Sequence, residues 1–573
     1  MTLPPYFQLG RMEFLLIIAM LFCLVTTDVE AQEQPLSEHE KMLKQGLDLL
    51  HHQIAPLRER ADVRLEQPDA AATNFSDLEA SDQCFNITEI NVQGAEIIPA
   101  SEIEARILSY VNQCLGLQHI NALLGEITNT YLENGYVTSR AYIAPQDLSD
   151  GTLGITVVEG TIEAINSIDG TVGKRQLRWA FPASANTVLN IRDIEQGIEN
   201  LNSLGQNRTT VALNPGLEQG GSEVAISNQL DNAWRGSMGI NNYGVESTGE
   251  YQLDGNLVFD NLLGINDTTF FSASTNIGEH ALPHALSRSY AVSWSMPAGY
   301  WYWSLQHNFY EYEQTVVGNN VDFSIEGSSL NSSIQLGRTV YRGQMGKLDF
   351  SASFTRKDSK NYIEDVFLET SSRTLYVWDV AGSYRHFLPN GTVSVNAHIH
   401  KSVPWFDAKR QVVAAEDDFQ FTKYQLNAVY STQFNLASQP VLYSVMADFL
   451  YSPQVILASE GLTVGGRYSV RGLSQSSLFG YKGGYVRNDI SLPVESSTRW
   501  LDQVQYYAGV DVGFSNLPEF PDKRSEWVAG STVGVRVHAR NVSINLSYAR
   551  ALRVPEFFQQ KQQEVDFSVR ISF

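Results

Sequence analysis

The chain has 573 residues, with 63 acidic against 40 basic side chains and a formal charge of −23. That balance argues against a nucleic-acid partner, which would need a basic face, and the length predicts two to four domains. No stretch after residue 30 reaches 18 apolar positions, so helical membrane spans are not expected. Barrel strands alternate apolar and polar residues and keep mean hydropathy near neutral, and here it is −0.19.

At the N-terminus, Arg11 precedes an apolar run from Phe14 to Val25, and Ala31 stands before Gln32. This pattern predicts a secretory signal peptide over residues 1–31, with Met1 and Met12 both open as starts. Its removal takes away Cys23 and leaves Cys84 and Cys114, which in an exported chain are expected to form one disulfide. A helix is predicted within residues 32–60. Ser37 and Glu40 fit a capping box, and Leu43, Leu47, Leu50, Ile54 and Leu57 recur at three- and four-residue spacing. His51 and His52 are adjacent and point apart, so no metal site is expected there. Residues 61–83 read as a linker rich in Ala, Asp, Asn, Gln and Ser.

Residues 84–160 predict a small α+β domain. Phe85 to Val92 forms a strand, Ser101 and Glu104 cap a helix running through Val111, and Ile120, Leu123, Leu124, Ile127 and Tyr131 stripe a second helix that Gly135 ends. Strands over Tyr136 to Ile143 and Leu153 to Val158 complete a three-stranded sheet in the order β-α-α-β-β. Residues 161–230 repeat the plan, with Ile191, Ile194, Ile198 and Leu201 along a helix and two strands around Asn214-Pro215-Gly216. Such modules leave a sheet edge open for an added strand, and Tyr136, Val137, Arg140 and Tyr142 are the candidate surface for it.

From Trp234 to Phe573 the period becomes two. Trp301, Trp303, Leu305 and Phe309 share a face, and in the last strand Val565, Phe567, Val569, Ile571 and Phe573 oppose Glu564, Asp566, Ser568, Arg570 and Ser572. Lipid outside and a wet lumen inside is the natural assignment, and residues 231–573 accommodate roughly 16 strands. Within this block, residues 465–488 are rich in glycine and carry Arg467, Arg471 and Arg487. An arginine among membrane strands needs a counter-charge. Asp511, in Gly509-Val510-Asp511-Val512-Gly513, is the candidate, and the pair is expected to lock a re-entrant loop inside the barrel.

Together these motifs resemble the two-partner secretion transporters of the outer-membrane assembly superfamily, which export hemolysins and filamentous adhesins. The resemblance rests on Gly135 through Tyr142, Pro145-Gln146-Asp147-Leu148, Val157-Val158-Glu159-Gly160, Asp193 through Gly197, the loop tip Val470-Arg471-Gly472-Leu473 and the wall motif Gly509 to Gly513. Leu473 departs from the family's usual aromatic residue. The resemblance implies a mainly β protein: an N-terminal helix that can plug the pore, two periplasmic polypeptide-transport-associated (POTRA) domains and a 16-stranded transmembrane barrel with the loop folded into its lumen.

It implies an outer-membrane transporter, acting as a monomer, for a large secreted β-helical exoprotein with an N-terminal secretion domain. It also implies contact with outer-membrane lipids and with the barrel-assembly machinery through the C-terminal strand ending at Phe573. No phosphate-binding GxxxxGK[ST] loop or catalytic motif is found, so neither a cofactor nor enzyme activity is expected. A barrel-assembly factor and a passive porin are the alternative readings.

Overall fold

The computed structural model describes residues 62–65, 84–278, 285–316, 321–369, 371–408, 420–473, 477–495, 500–516, 525–558 and 563–573. The expected signal peptide, the helix within 32–60 and all but residues 62–65 of the linker lie outside them.

In the first α+β unit, Thr152–Val158 is the central strand, parallel to Glu89–Gln93 and antiparallel to Arg140–Tyr142. Helices α1 (Ala100–Ile107) and α2 (Leu117–Glu133) cover it through Ile103, Leu123, Ile127 and Tyr131, which meet Leu153, Ile155 and Val157 in one core. The strand expected over Phe85 to Val92 breaks at Thr88: Glu89–Gln93 enters the sheet, while Phe85–Ile87 pairs in a separate ribbon with Gln113–Leu115, which has no clear signature in the sequence. Three residues are too few for periodicity to register. The Cys84–Cys114 disulfide closes this ribbon, with Cα atoms 5.3 Å apart.

Two further local expectations need correction. Helix α1 runs from Ala100 to Ile107, short of Val111; Ser101 lies inside it and does not cap it, and Pro99 at the N-cap has no side-chain acceptor, so its carbonyl alone receives Glu102 N at 2.9 Å. The strand expected over Tyr136 to Ile143 shrinks to Arg140–Tyr142. Gly135, at φ +91°, turns the chain sharply, and Val137 enters the core of the next unit.

The second unit repeats the plan. Gly221–Leu230 lies centrally, parallel to Thr161–Ser167 and antiparallel to Asn207–Pro215. Helices α3 (Lys174–Ala180) and α4 (Ile191–Asn202) pack on it. The units are joined tightly: Ile191 N donates to Gly135 O at 2.9 Å, Leu189 N donates to Gly160 O at 2.8 Å, and Leu132 and Val137 sit in the second core.

From Trp234–Asn241 to Gln563–Ser572, sixteen long antiparallel strands close into a barrel, with the two-residue Val366–Phe367 beside one pair. Side-chain exposure alternates as the pattern predicts. Trp301, Trp303, Leu305, Val565, Val569 and Ile571 face outward, whereas Asp254 and Asp566 are buried inside. Closure is brief: the last strand pairs with the first over the five residues from Ser568↔Asn241 to Ser572↔Ser237.

Candidate functional site

Between the strands Gln439–Tyr451 and Lys482–Glu495, the chain folds back into the barrel as a strut across the lumen. At its near end, the 3-10 turn Ala458–Glu460 buries the Glu460 carboxylate, which accepts from Lys357 Nζ at 2.5 Å and Lys423 Nζ at 2.8 Å on the wall. A hairpin of Leu462–Val464 and Leu478–Gly480 then carries the tip to the opposite wall.

At the tip, Gly465 and Gly466 take φ values of +125° and +96°, and Gly466 N donates to Val470 O at 2.9 Å. This tight turn aims two arginines in different directions. Arg471 meets Asp511 as a fork: Nε donates to Oδ2 at 2.6 Å and Nη2 to Oδ1 at 2.6 Å, and its backbone N–H adds a bond to Oδ2 at 3.1 Å. Nη1 donates to Asp489 Oδ1 at 2.7 Å, and Arg487 joins by donating from Nε to Asp489 Oδ2 at 3.3 Å and from Nη1 to Arg467 O at 2.8 Å. Arg471 is 4% exposed and Asp511 fully buried, so the pair is shielded from water.

Arg467, in the same glycine-rich stretch, has no partner legible from the sequence. It binds Asp566, Glu564 Oε1 at 3.1 Å and Asn242 O at 3.3 Å, and stacks 3.9 Å over the Tyr243 ring. Glu564 and Asp566 were legible only as the polar face of the last strand.

The wall is shaped to receive the tip. A Cβ on Gly530 would lie 1.8 Å from Arg471 O, on Gly513 2.4 Å from Val464 Cγ1, and on Gly509 2.3 Å from Arg471 Nη2. Gly472, at φ +90°, lies so close to the strand Val542–Arg553 that its own Cβ would meet Arg550 C at 2.3 Å. Val470 and Leu473 are buried with Leu478, Val528 and Ala551 in an apolar cluster around the fork. Leu473 therefore fills space at the tip without an aromatic ring.

The four residues expected on a periplasmic docking surface separate. Tyr142 is 53% exposed, Arg140 is half-buried with Nη1 donating to Val137 O and Ser139 O at 2.8 Å each, and Tyr136 is half-buried against the first core. Val137 is 8% exposed, a correction caused by its role in joining the units.

A second charged cluster fixes α4 to the barrel mouth. Arg342 Nη1 donates to Glu199 Oε2 at 2.7 Å, Lys347 Nζ donates to Glu199 Oε1 at 2.6 Å, and Tyr300 Oη donates to Asp193 Oδ1 at 2.6 Å. Burial raises the Glu199 carboxyl, but Lys347 and Arg342 together outweigh it and hold the group below its ordinary value. Asp193 is pushed upward by burial, which its bond to Tyr300 only partly offsets. Residues 62–65 are pinned at the same joint: Arg342 Nη2 donates to Val63 O at 2.6 Å, Leu65 N donates to Glu195 Oε1 at 2.8 Å, and Arg385 pairs with Asp62.

Residues 220–537, more than half of the chain, match the family described as haemolysin secretion/activation protein ShlB/FhaC/HecB. The chain belongs to this family. Residues 85–160 match the ShlB-type POTRA domain and 161–215 a further POTRA domain. Among curated family members, the outer membrane transporter CdiB of Dickeya dadantii is 29% identical over 95% of this chain and 94% of its own. The hemolysin transporter protein ShlB of Serratia marcescens is 30% identical over 85% and 84%. The solved structure of CdiB from Escherichia coli superposes with a TM-score of 0.84 at 27% identity, covering 94% of this chain and all of that one. The protein is accordingly an outer-membrane transporter of the two-partner secretion type, its barrel in the membrane and its POTRA domains in the periplasm.

Proposed function

We propose that this transporter exports one large β-helical exoprotein of hemolysin or adhesin type, which docks its N-terminal secretion domain on the POTRA units and passes unfolded through the barrel. The observation that carries this reading is the strut across the lumen, held at its tip by the side-chain contacts of Arg471 and Arg467, which can open without breaking any barrel strand. Support in the periplasm comes from the edge strand Asn207–Pro215, where, beyond Thr209 whose N–H and C=O are taken by Asn202, backbone groups can hold an extended chain while reading little sequence. The pinning of residues 62–65 at the barrel mouth supports the expectation that residues 32–60 act as a plug.

Several finer features belong to the same reading. The protein works as a monomer, meets lipid through its outward aromatic residues, and presents the strand ending at Phe573 to the barrel-assembly machinery. The Arg471 fork acts as a lock on the loop. Export uses no cofactor and no chemistry by this chain, and folding of the client outside biases its movement outward.

Co-expression with a large exported protein encoded beside this chain tests the proposal. The client is expected in the medium or at the cell surface only when the chain is present. An unchanged client, with other outer-membrane barrels depleted instead, would favour an assembly factor.

A further inference from the structure

The lumenal wall carries a cluster that the export reading does not use. Asp379 lies on the strand Arg373–Leu388, and His398 and His400 lie on its neighbour Gly391–Val403. Trp378, Val380 and Ile399 face outward, so the alternation of a strand turns Asp379, His398 and His400 inward. The register sets Asp379 opposite His400 and Ala381 opposite His398. His398 Nδ1 lies 3.2 Å from both Asp379 carboxylate oxygens and His400 Nδ1 lies 3.5 Å from Oδ1, while the two rings stack 5.6 Å apart and almost parallel. Each residue offers one ligand atom, and these atoms lie within 4.8 Å of one another. His400 Nε2 is buried and makes no hydrogen bond. Both Nδ1 atoms face the Asp379 carboxylate, and the neutral tautomer with its proton on Nε2 leaves each Nδ1 lone pair turned toward it.

We propose that Asp379, His398 and His400 form a binding site for a divalent transition-metal ion of borderline softness, such as Zn2+, on the lumenal wall beneath the re-entrant loop. Two imidazoles and one carboxylate are the donor set that zinc, copper and nickel take, whereas calcium and magnesium prefer oxygen alone. Partial exposure of all three side chains leaves the remaining coordination positions to water from the lumen.

The surrounding charge narrows the choice further. Lys423 sits opposite His400 in the register, but its ammonium is held by the Glu460 carboxylate and carbonyl at 2.8 Å each, and Lys357 binds the same carboxylate. The two lysines disfavour a purely ionic cation, so capture depends on the imidazole nitrogens. The ion would rest beside the anchor of the loop and would tie two neighbouring strands.

The test uses the full, tag-free chain purified in detergent and titrated with ZnCl2 by calorimetry and with CoCl2 by visible absorption. One ion per chain is expected. His398→Ala, His400→Gln and Asp379→Asn should each weaken binding by at least about tenfold, while His307→Ala, which removes a histidine elsewhere on the barrel, should leave it unchanged. Barrel folding of every variant is checked by heat-dependent gel mobility. On the unaltered protein, Zn2+ should shield His398 and His400 from carbethoxylation, read by mass spectrometry. Absence of a stoichiometric ion, wild-type affinity in the folded ligand variants, or unshielded histidines would overturn the site.

Discussion

Arg471 and Asp511 meet through two parallel hydrogen bonds of 2.6 Å each, one partner on the loop tip and the other on the barrel wall. Removing Arg471 leaves the Asp511 charge buried and alone, at a cost of about 3 to 5 kcal/mol, less where lumen water enters; removing Asp511 leaves Arg471 with Asp489 alone and costs less. Arg471→Ala and Asp511→Ala should each lower export of the client at least about tenfold, the equivalent of only ~1.4 kcal/mol of that cost, while barrel insertion persists. Arg471→Lys should fail as well, because an ammonium cannot reproduce the planar fork. Quantifying secreted client against inserted barrel checks this. Normal export by both alanine variants would remove the fork from the mechanism.

The glycine cradle predicts a steric route to the same undocked loop. A methyl on Gly530 would press on the Arg471 carbonyl, which is backbone and cannot swing aside. Gly530→Val should raise single-channel conductance in planar bilayers without disturbing the ion pair chemically. Gly125→Ala, at a half-buried position of α2 with open space around its Cβ, should leave conductance alone and stabilise its helix by about 1 kcal/mol. Equal conductance in the Gly530 variant and the parent would contradict the close docking.

The disulfide closes a loop with a sequence separation of 30 residues. In the chain-entropy view this stabilises the first POTRA unit by about 3.5 kcal/mol. Cys84→Ser with Cys114→Ser should lower the unfolding temperature of that unit, read by calorimetry or pulse proteolysis. Melting of the barrel itself should stay put, since the bridge lies wholly within the periplasmic unit.

Acid should loosen the joint between α4 and the barrel mouth. Glu199 is held below its ordinary value of 4.5, so its contribution is complete above that pH and is lost as pH falls through the lower folded value. Asp193, shifted upward, takes up its proton earlier and contributes in the opposite sense, which blunts the transition. Hydrogen exchange of α4 should therefore accelerate below about pH 4.5. In Glu199→Gln it should be faster at neutral pH and much flatter with acid. Identical acid profiles in parent and variant would exclude Glu199 as the source.

Long elements and charge logic were readable from residues, and short or purely spatial features were not. The alternation of Val565 to Phe573 and the helical stripe of Ile191 to Leu201 each repeat over enough residues to set a period. Arg471 invited a search for a carboxylate because a buried cation cannot stand alone, and that search led to Asp511. Gln113–Leu115 is too short to show any period. Val137 sits in a motif that looks like an exposed edge, and only the turn at Gly135 sends it into the neighbouring core. Glu460, Lys357 and Lys423 are more than 60 residues apart in part of their network. No spacing rule joins such residues, because the barrel closes around them and sequence order does not.

The brief seam between first and last strands acquires its significance from Arg467. That side chain grips Glu564 and Asp566 on the last strand and the Asn242 carbonyl just beyond the first, so the loop tip acts as an internal rivet on the joint where the cylinder is thinnest. Whatever draws the loop out of the lumen also pulls this rivet. Under the proposed export route, a widened passage and a slackened hoop would be two faces of one event, leaving the barrel most compliant while a client is inside it.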